Sequence, residues 1–266
     1  MKKITVPEIV GKKSNKEKIV MVTAYDADTA CILDEAGVDI VLVGDSLGNV
    51  VQGRENTIPV TMDDMIYHTK MVSRGMKNAF LCADMPFMSY QVSIEDAIAN
   101  AGRFLKEAIA ESVKLEVNES QLEKVYSIVN AGIPVVGHIG LCPQSVHIMG
   151  GYRMQGKERK QAAKLEKLAK SVEEAGAFCL VLESIPAKLA RKITSSINIP
   201  TIGIGAGPYC DGQVLVINDL VGLSPDPIPS FVKKYANARK IYSEAVRKFA
   251  WEVKNGNFPG EKYFIE

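Results

Sequence analysis

Eight short β-rich apolar runs recur along this chain, at 19–25, 39–44, 79–84, 113–116, 134–138, 178–183, 200–204 and 213–218. Between them lie stretches with helical periodicity, at 61–75, 93–111, 119–131, 158–176 and 187–197, and a last one follows at 230–255. Runs that alternate in this way form a parallel sheet, because each return to the same edge of the sheet needs a crossover helix. Ala36-Gly37, Ala131-Gly132 and Ala175-Gly176 each close a helix just ahead of a strand. Glycine supplies the left-handed conformation that such a joint requires. Eight units in about 250 residues favour a (β/α)8 TIM barrel over an open doubly wound sheet, although periodicity alone permits both. No Ser/Gly-rich or low-complexity linker interrupts the alternation. One α/β domain is therefore expected over 1–266, a single barrel with an N-terminal extension.

Charge and cysteine usage narrow the partner. Lys and Arg number 32 against 31 Asp and Glu, a net charge of +1, which gives no bias toward nucleic acid or an anionic membrane surface. A small molecule is the expected partner. The five cysteines, Cys31, Cys82, Cys142, Cys179 and Cys210, form no C-x-x-C pair and mostly sit in apolar stretches. They read as reduced thiols of a cytosolic protein. The opening residues, Met1-Lys2-Lys3-Ile4-Thr5-Val6-Pro7-Glu8, lack the apolar stretch of a signal peptide, and no later segment approaches the roughly 20 apolar residues of a membrane span. A cytoplasmic location is expected.

Four of the apolar runs end on, or carry at their end, an acid: Asp45, Asp84, Glu116 and Glu183. A strand core accepts a carboxylate only if something pairs with it. Residues two apart share a strand face, so Glu183 lies with Cys179 and Val181, and Glu116 with Lys114. The larger aliphatics on the opposite face would pack under helices, leaving the polar groups inside the barrel near its C-terminal mouth, where barrel enzymes place their chemistry. Any one Asp after a strand is more often a cap or turn former. The set of four acids with an inward lysine points instead to a shared metal and substrate. Carboxylates without a His/Cys cluster suit a hard ion such as Mg²⁺ better than Zn²⁺. His138 alone among the histidines stands at a strand end, while His68 falls in a helical pattern and His147 in a loop.

Seven blocks in order carry a resemblance over nearly the whole chain: Val22-Thr23-Ala24-Tyr25-Asp26, Val43-Gly44-Asp45-Ser46-Leu47-Gly48, Ala83-Asp84-Met85-Pro86-Phe87-Met88, residues 137–145, Gly150-Gly151-Tyr152, Leu182-Glu183 and residues 202–207. Together they resemble the ketopantoate (3-methyl-2-oxobutanoate) hydroxymethyltransferase family. The resemblance implies a TIM barrel, a homodecamer, a Mg²⁺ ion and 5,10-methylenetetrahydrofolate as one-carbon co-substrate. It also implies a transferase of pantothenate and coenzyme A biosynthesis that makes 2-dehydropantoate from 3-methyl-2-oxobutanoate through a Mg-stabilised enolate. Position by position, Asp45, Asp84 and Glu116 match metal ligands. Asp45, Ser46, Asp84 and Lys114 match oxoacid contacts, Glu183 matches the catalytic proton acceptor, and His138 a supporting substrate-site histidine. Val117-Asn118-Glu119 stand where the family often has glycines, and the ending Tyr263-Phe264-Ile265-Glu266 also departs from it.

The residue types suit that chemistry. A proton next to a ketone leaves only if the developing enolate is stabilised, which a metal on the ketone oxygen and a nearby ammonium both do. A related Mg²⁺ barrel of the isocitrate lyase or phosphoenolpyruvate mutase type would use the same metal site, but such enzymes place acid or base groups on mobile loops, whereas Glu183 lies on a strand. The run Gly203-Ile204-Gly205-Ala206-Gly207 misses the dinucleotide-binding spacing and is expected to be a close-approach loop at the rim. Segments 48–57 and 145–156 read equally as mobile covers or as ordinary surface loops.

Overall fold

The computed structural model describes residues 2–264. Met1 at the start of the extension, and Ile265 and Glu266 of the divergent ending, lie outside the described residues. The chain divides into two compact units, one reaching Val216 and one beginning at Ile217.

The first unit is a closed barrel of eight parallel strands in sequence order: β1 (Ile19–Thr23), β2 (Ile40–Val43), β3 (Phe80–Asp84), β4 (Ser112–Glu116), β5 (Val135–Gly140), β6 (Cys179–Glu183), β7 (Thr201–Ile204) and β8 (Gly212–Leu215). Closure comes from the pairing of β1 with β8, Ile19 opposite Gly212 and Met21 opposite Val214. The helices are α1 (Val6–Asn15), α2 (Ala27–Glu35), the short α3 (Leu47–Val50), α4 (Met62–Gly75), α5 (Ile94–Ala108), α6 (Leu122–Asn130), the short α7 (Val146–Met149), α8 (Arg159–Glu174) and α9 (Ala187–Ser196). Residues 205–211, between β7 and β8, form a loop with no helix, so the glycine-rich run is a connection in its own right. Gly207 is close-packed there: with φ +78°, an added Cβ would come within 2.5 Å of the Ala187 side chain.

The strand interiors are filled by layers. Ile19, Met21, Ile40, Leu42, Phe80, Cys82, Val136, Cys179, Val181, Ile202 and Val214 form one buried cluster. The N-terminal extension is helix α1, and its fully buried Ile9 joins this cluster with Ile4, Val6 and Val10 packed against it. Charged side chains fasten the helix to the strands' N-terminal ends. Lys3 reaches the Ala79 carbonyl and Glu111, Lys12 lies 3.0 Å from Asp39, and Lys13 is 3.0 Å from Asp211 and donates to the carbonyls of Thr194 and Ile199. The N-terminal end of the barrel is thereby plugged, which leaves the C-terminal end as the open one.

In the second unit, α10 (Ile217–Leu220) precedes α11 (Ala238–Lys254). The helical pattern read over 230–255 starts later than expected. Asn237 caps α11 by accepting from the Lys240 N–H, and the N–H groups of Tyr235 and Ala238 bond to Leu220 and Val221 rather than within a helix. Among the described residues no helix is long and apolar enough to cross a membrane.

Candidate active site

All the acids singled out from the sequence stand at the open end of the barrel. Asp84 ends β3, Lys114 and Glu116 lie on β4, His138 is on β5, Glu183 ends β6, and Asp45 and Ser46 follow β2. Register explains their convergence: Asp84 is opposite Lys114 and Glu116 opposite His138. Below them on the same inward columns sit Cys82, Val136 and Val181 of the apolar cluster. Strands β3, β5 and β6 thus carry an apolar lower layer and a polar upper one.

Lys114 is the hub. Its Nζ lies 2.7 Å from Asp84 Oδ1 and 3.3 Å from His138 Nδ1. An ammonium only donates, so His138 Nδ1 accepts and its proton sits on Nε2, which stands 3.1 Å from Glu183 Oε2. A row Asp84–Lys114–His138–Glu183 therefore crosses the mouth from β3 to β6. Burial opposes the Lys114 charge, but Asp84 and Asp45 outweigh it and hold the ammonium above its ordinary value. Burial, then the Lys114 charge, lower His138 and keep the imidazole neutral.

The remaining acids cluster beside that hub. Asp84 Oδ2 accepts from the Asp45 N–H at 3.0 Å. Gly44 leaves room for Ser46 beside it, since an added Cβ would lie 2.7 Å from Ser46 Oγ. Ser46 Oγ in turn meets the Tyr25 hydroxyl at 2.8 Å. Burial, and next the charge of Asp84, push Asp45 up to about 7. Burial and then Asp45 push Glu116 well above the usual carboxylate range. These carboxyls hold on to protons first because burial strips water from the charged form, and next because one lysine faces several acids.

Sequence reasoning missed the residue that ties these acids together. Gln144 donates from its backbone N–H to both Glu116 oxygens at 3.1 and 3.2 Å, and from Nε2 to Asp45 Oδ2 and the Met85 carbonyl, each at 2.9 Å. Its Oε1 accepts from Tyr90 at 2.7 Å. Glu183 is positioned by backbone rather than by side chains. Gly140, at φ +103°, brings β5 so near that an added Cβ would collide with the Glu183 carbonyl, and that carbonyl accepts from the Leu141 N–H at 2.9 Å. The next residue, Ser184, takes a left-handed φ of +46°, a conformation that persists only where its surroundings enforce it. Here the Ile204 carbonyl binds its N–H, and the Gln155 N–H binds its carbonyl, each at 2.8 Å. Tyr152, in segment 145–156, feels the charges of Asp45, Glu183 and Glu116 after partial burial, and all of them raise its hydroxyl above its ordinary value.

The donor set fits a hard divalent ion in type: oxygen ligands, short of positive charge, with Asp45 and Asp84 side by side. Among the described residues no group of three His, Cys, Asp or Glu side chains forms a ready-made cage, because Gln144 stands between Glu116 and Asp45. Mg²⁺ keeps several of its waters and is commonly bound through one or two carboxylates, so the adjacent pair meets its requirement, with Glu116 behind.

The family model for ketopantoate hydroxymethyltransferase matches residues 3–261. A 3-methyl-2-oxobutanoate hydroxymethyltransferase of Syntrophomonas wolfei is 52% identical over 263 residues, 99% of this chain and 95% of that one. The enzyme of the same name from Syntrophus aciditrophicus is 55% identical over 262 residues, 98% of this chain and 96% of that one. Solved structures share the fold at low identity. A phosphonopyruvate hydrolase bound to oxalate and Mg²⁺ superposes with TM-score 0.63 at 12% identity, covering 98% of this chain and 93% of that one. A 2,3-dimethylmalate lyase of the PEP mutase/isocitrate lyase superfamily superposes with TM-score 0.62 at 15% identity, covering 97% and 87%. With a whole-length match at such identity, set on a closed barrel with its polar groups at the open end, the chain belongs to the ketopantoate hydroxymethyltransferase family.

Proposed function

We propose that this chain transfers a hydroxymethyl group from 5,10-methylenetetrahydrofolate to 3-methyl-2-oxobutanoate, giving 2-dehydropantoate for pantothenate and coenzyme A synthesis. The observation that carries the proposal is the row Asp84–Lys114–His138–Glu183, which sets a permanent cation and a carboxylate base at opposite sides of one imidazole. The oxoacid lies over Asp45, Asp84 and Ser46 with its carboxylate beside Lys114. Glu183 removes the C3 proton beside neutral His138, whose Nε2 lies 3.1 Å from that carboxylate while its Nδ1 accepts from Lys114. The carbanion carbon bonds to the methylene carbon as the bond from that carbon to one of the carrier's two nitrogens breaks, water then bonds to it as the second carbon–nitrogen bond breaks, and the two nitrogens take up the proton held by Glu183 and one from the water, so tetrahydrofolate leaves. A divalent ion such as Mg²⁺, held by Asp45 and Asp84 with Glu116 behind, supplies Lewis acidity toward the ketone oxygen when bound.

Incubation with both substrates and Mg²⁺ is expected to yield 2-dehydropantoate by mass spectrometry, and EDTA to abolish it. In D2O the wild type exchanges the C3 proton, and Glu183→Gln slows that exchange by about 10²–10⁴-fold, the usual weight of a general base. Undiminished exchange in the variant removes Glu183 from the role. Residence in the cytoplasm and assembly into ten subunits belong to the same proposal. What supports assembly is α11, of whose residues none is buried, although Ile241, Tyr242, Val246 and Val253 are all large and apolar.

A further inference from the structure

The side-chain amide of Gln144 is engaged at every hydrogen and on both sides of its oxygen. Nε2 gives one hydrogen to Asp45 Oδ2 and the other to the Met85 carbonyl, each at 2.9 Å. Oε1 receives the Tyr90 hydroxyl at 2.7 Å and Gln91 Nε2 at 3.3 Å. A carbonyl only accepts, so the Met85 contact fixes which end of the amide carries the hydrogens. The group cannot turn over without losing all four of these bonds. The backbone is held as firmly. The Leu141 N–H is bound by the Glu183 carbonyl, the Ser145 N–H closes a turn on the Cys142 carbonyl at 2.8 Å, and Pro143 restricts the chain just before Gln144. Gln144 is 6% exposed, so little water competes for its partners.

A donor locked against Asp45 Oδ2 constrains any cation that Asp45 binds. An oxygen that already holds an N–H hydrogen is a poor ligand, because hydrogen and ion are both positive and crowd one atom. Asp45 is left with Oδ1 for the ion. Mg²⁺ is small, demands near-octahedral geometry and keeps several waters, whereas Ca²⁺ takes roughly six to eight oxygens and readily accepts a carboxylate through both of its own. We propose that Gln144 is a positioning residue that sets the ion preference of this site: by holding Asp45 to one oxygen, its side chain favours Mg²⁺ over Ca²⁺. This role rests on the ion assigned in the reaction above and adds to it a determinant of selectivity. The backbone N–H of the same residue restrains Glu116 at both oxygens, a contact that a change of side chain leaves in place.

The test is calorimetric titration of the purified protein with magnesium chloride, and separately with calcium chloride at the same ionic strength, in wild type, Gln144→Met and Tyr90→Phe. The wild type should bind Mg²⁺ more tightly than Ca²⁺. Gln144→Met keeps the length of the side chain but gives Asp45 no hydrogen. It should weaken Mg²⁺ about 10–100-fold, the usual effect of losing a group that orients a metal ligand, and spare Ca²⁺, so that the ratio of the Ca²⁺ Kd to the Mg²⁺ Kd falls about tenfold or more. Tyr90→Phe keeps the amide but removes its strongest anchor, and should move the ratio the same way by about threefold. It decides the matter if Gln144→Met does not fold. A merely structural role would weaken both ions together and leave the ratio unchanged, and that result overturns the role, as does a wild type that binds Ca²⁺ as tightly as Mg²⁺. A wild type that binds neither ion overturns the ion assignment along with it. The expected ratios in a protein that forms no 2-dehydropantoate would sink the proposed reaction and leave the role of Gln144 standing.

Discussion

Asp45 and Glu116 show how a single side chain reports the need for a cation. The folded-state value of Asp45 is raised from 3.8 to about 7, so between those pH values the folded protein binds protons that the unfolded chain has released. Stability therefore falls as pH rises across that window, with the penalty complete above it. Glu116 acts in the same direction. His138 acts oppositely: its value is lowered from 6.5, so it withdraws stability as pH drops below that point. A divalent ion on Asp45 must displace the proton, and so the Tm gain on adding Mg²⁺ should be several degrees larger at pH 8 than at pH 5.5, at about 2–4 °C per kcal/mol. Equal gains measured by scanning fluorimetry at both pH values would remove Asp45 from the ion's site. The acids were legible because a carboxylate ending an apolar strand contradicts its surroundings. Gln144 was not, since an amide in a loop contradicts nothing. Its role appears only when folding brings it against Asp45, 99 positions away, and Glu116, 28 away.

Among the elements, strands were easier to read than helix ends. Helix α5 stops at Ala108, where a pattern read to 111 ran on, because Ile109 turns the chain with φ +60°. A β-branched residue seldom takes that conformation, so no residue type marked the stop. Helix α1 was passed over as an extension although its start was written in the chain: Thr5 and Glu8 form a capping box around Pro7. Its worth is testable. Ile9 is fully buried in the base of the barrel, and Ile9→Ala should cost about 2–5 kcal/mol, read as a lower urea midpoint with an unchanged slope. A loss below about 1 kcal/mol would mean that the cavity collapses and the plug is loose.

On the scale of the whole molecule, the barrel was legible because eight strand-helix alternations admit few closed arrangements. In the stretch from Ile217 onward the helical pattern was legible but its role was not, for α11 is amphipathic without a buried face of its own. If α11 joins subunits, native mass spectrometry should find ten chains, and Val246→Glu with Val253→Glu, at positions 65% and 47% exposed, should release smaller species. A monomeric wild type would end that view. The plugged base has a further consequence. A vessel sealed at the bottom has one doorway for all traffic, so each product departs along the route its precursor took. Because 2-dehydropantoate keeps the oxoacid head of its precursor, product that lingers at that doorway should compete with incoming ketoacid for the same groups, read as a rise in apparent ketoacid KM with unchanged kcat when product is added.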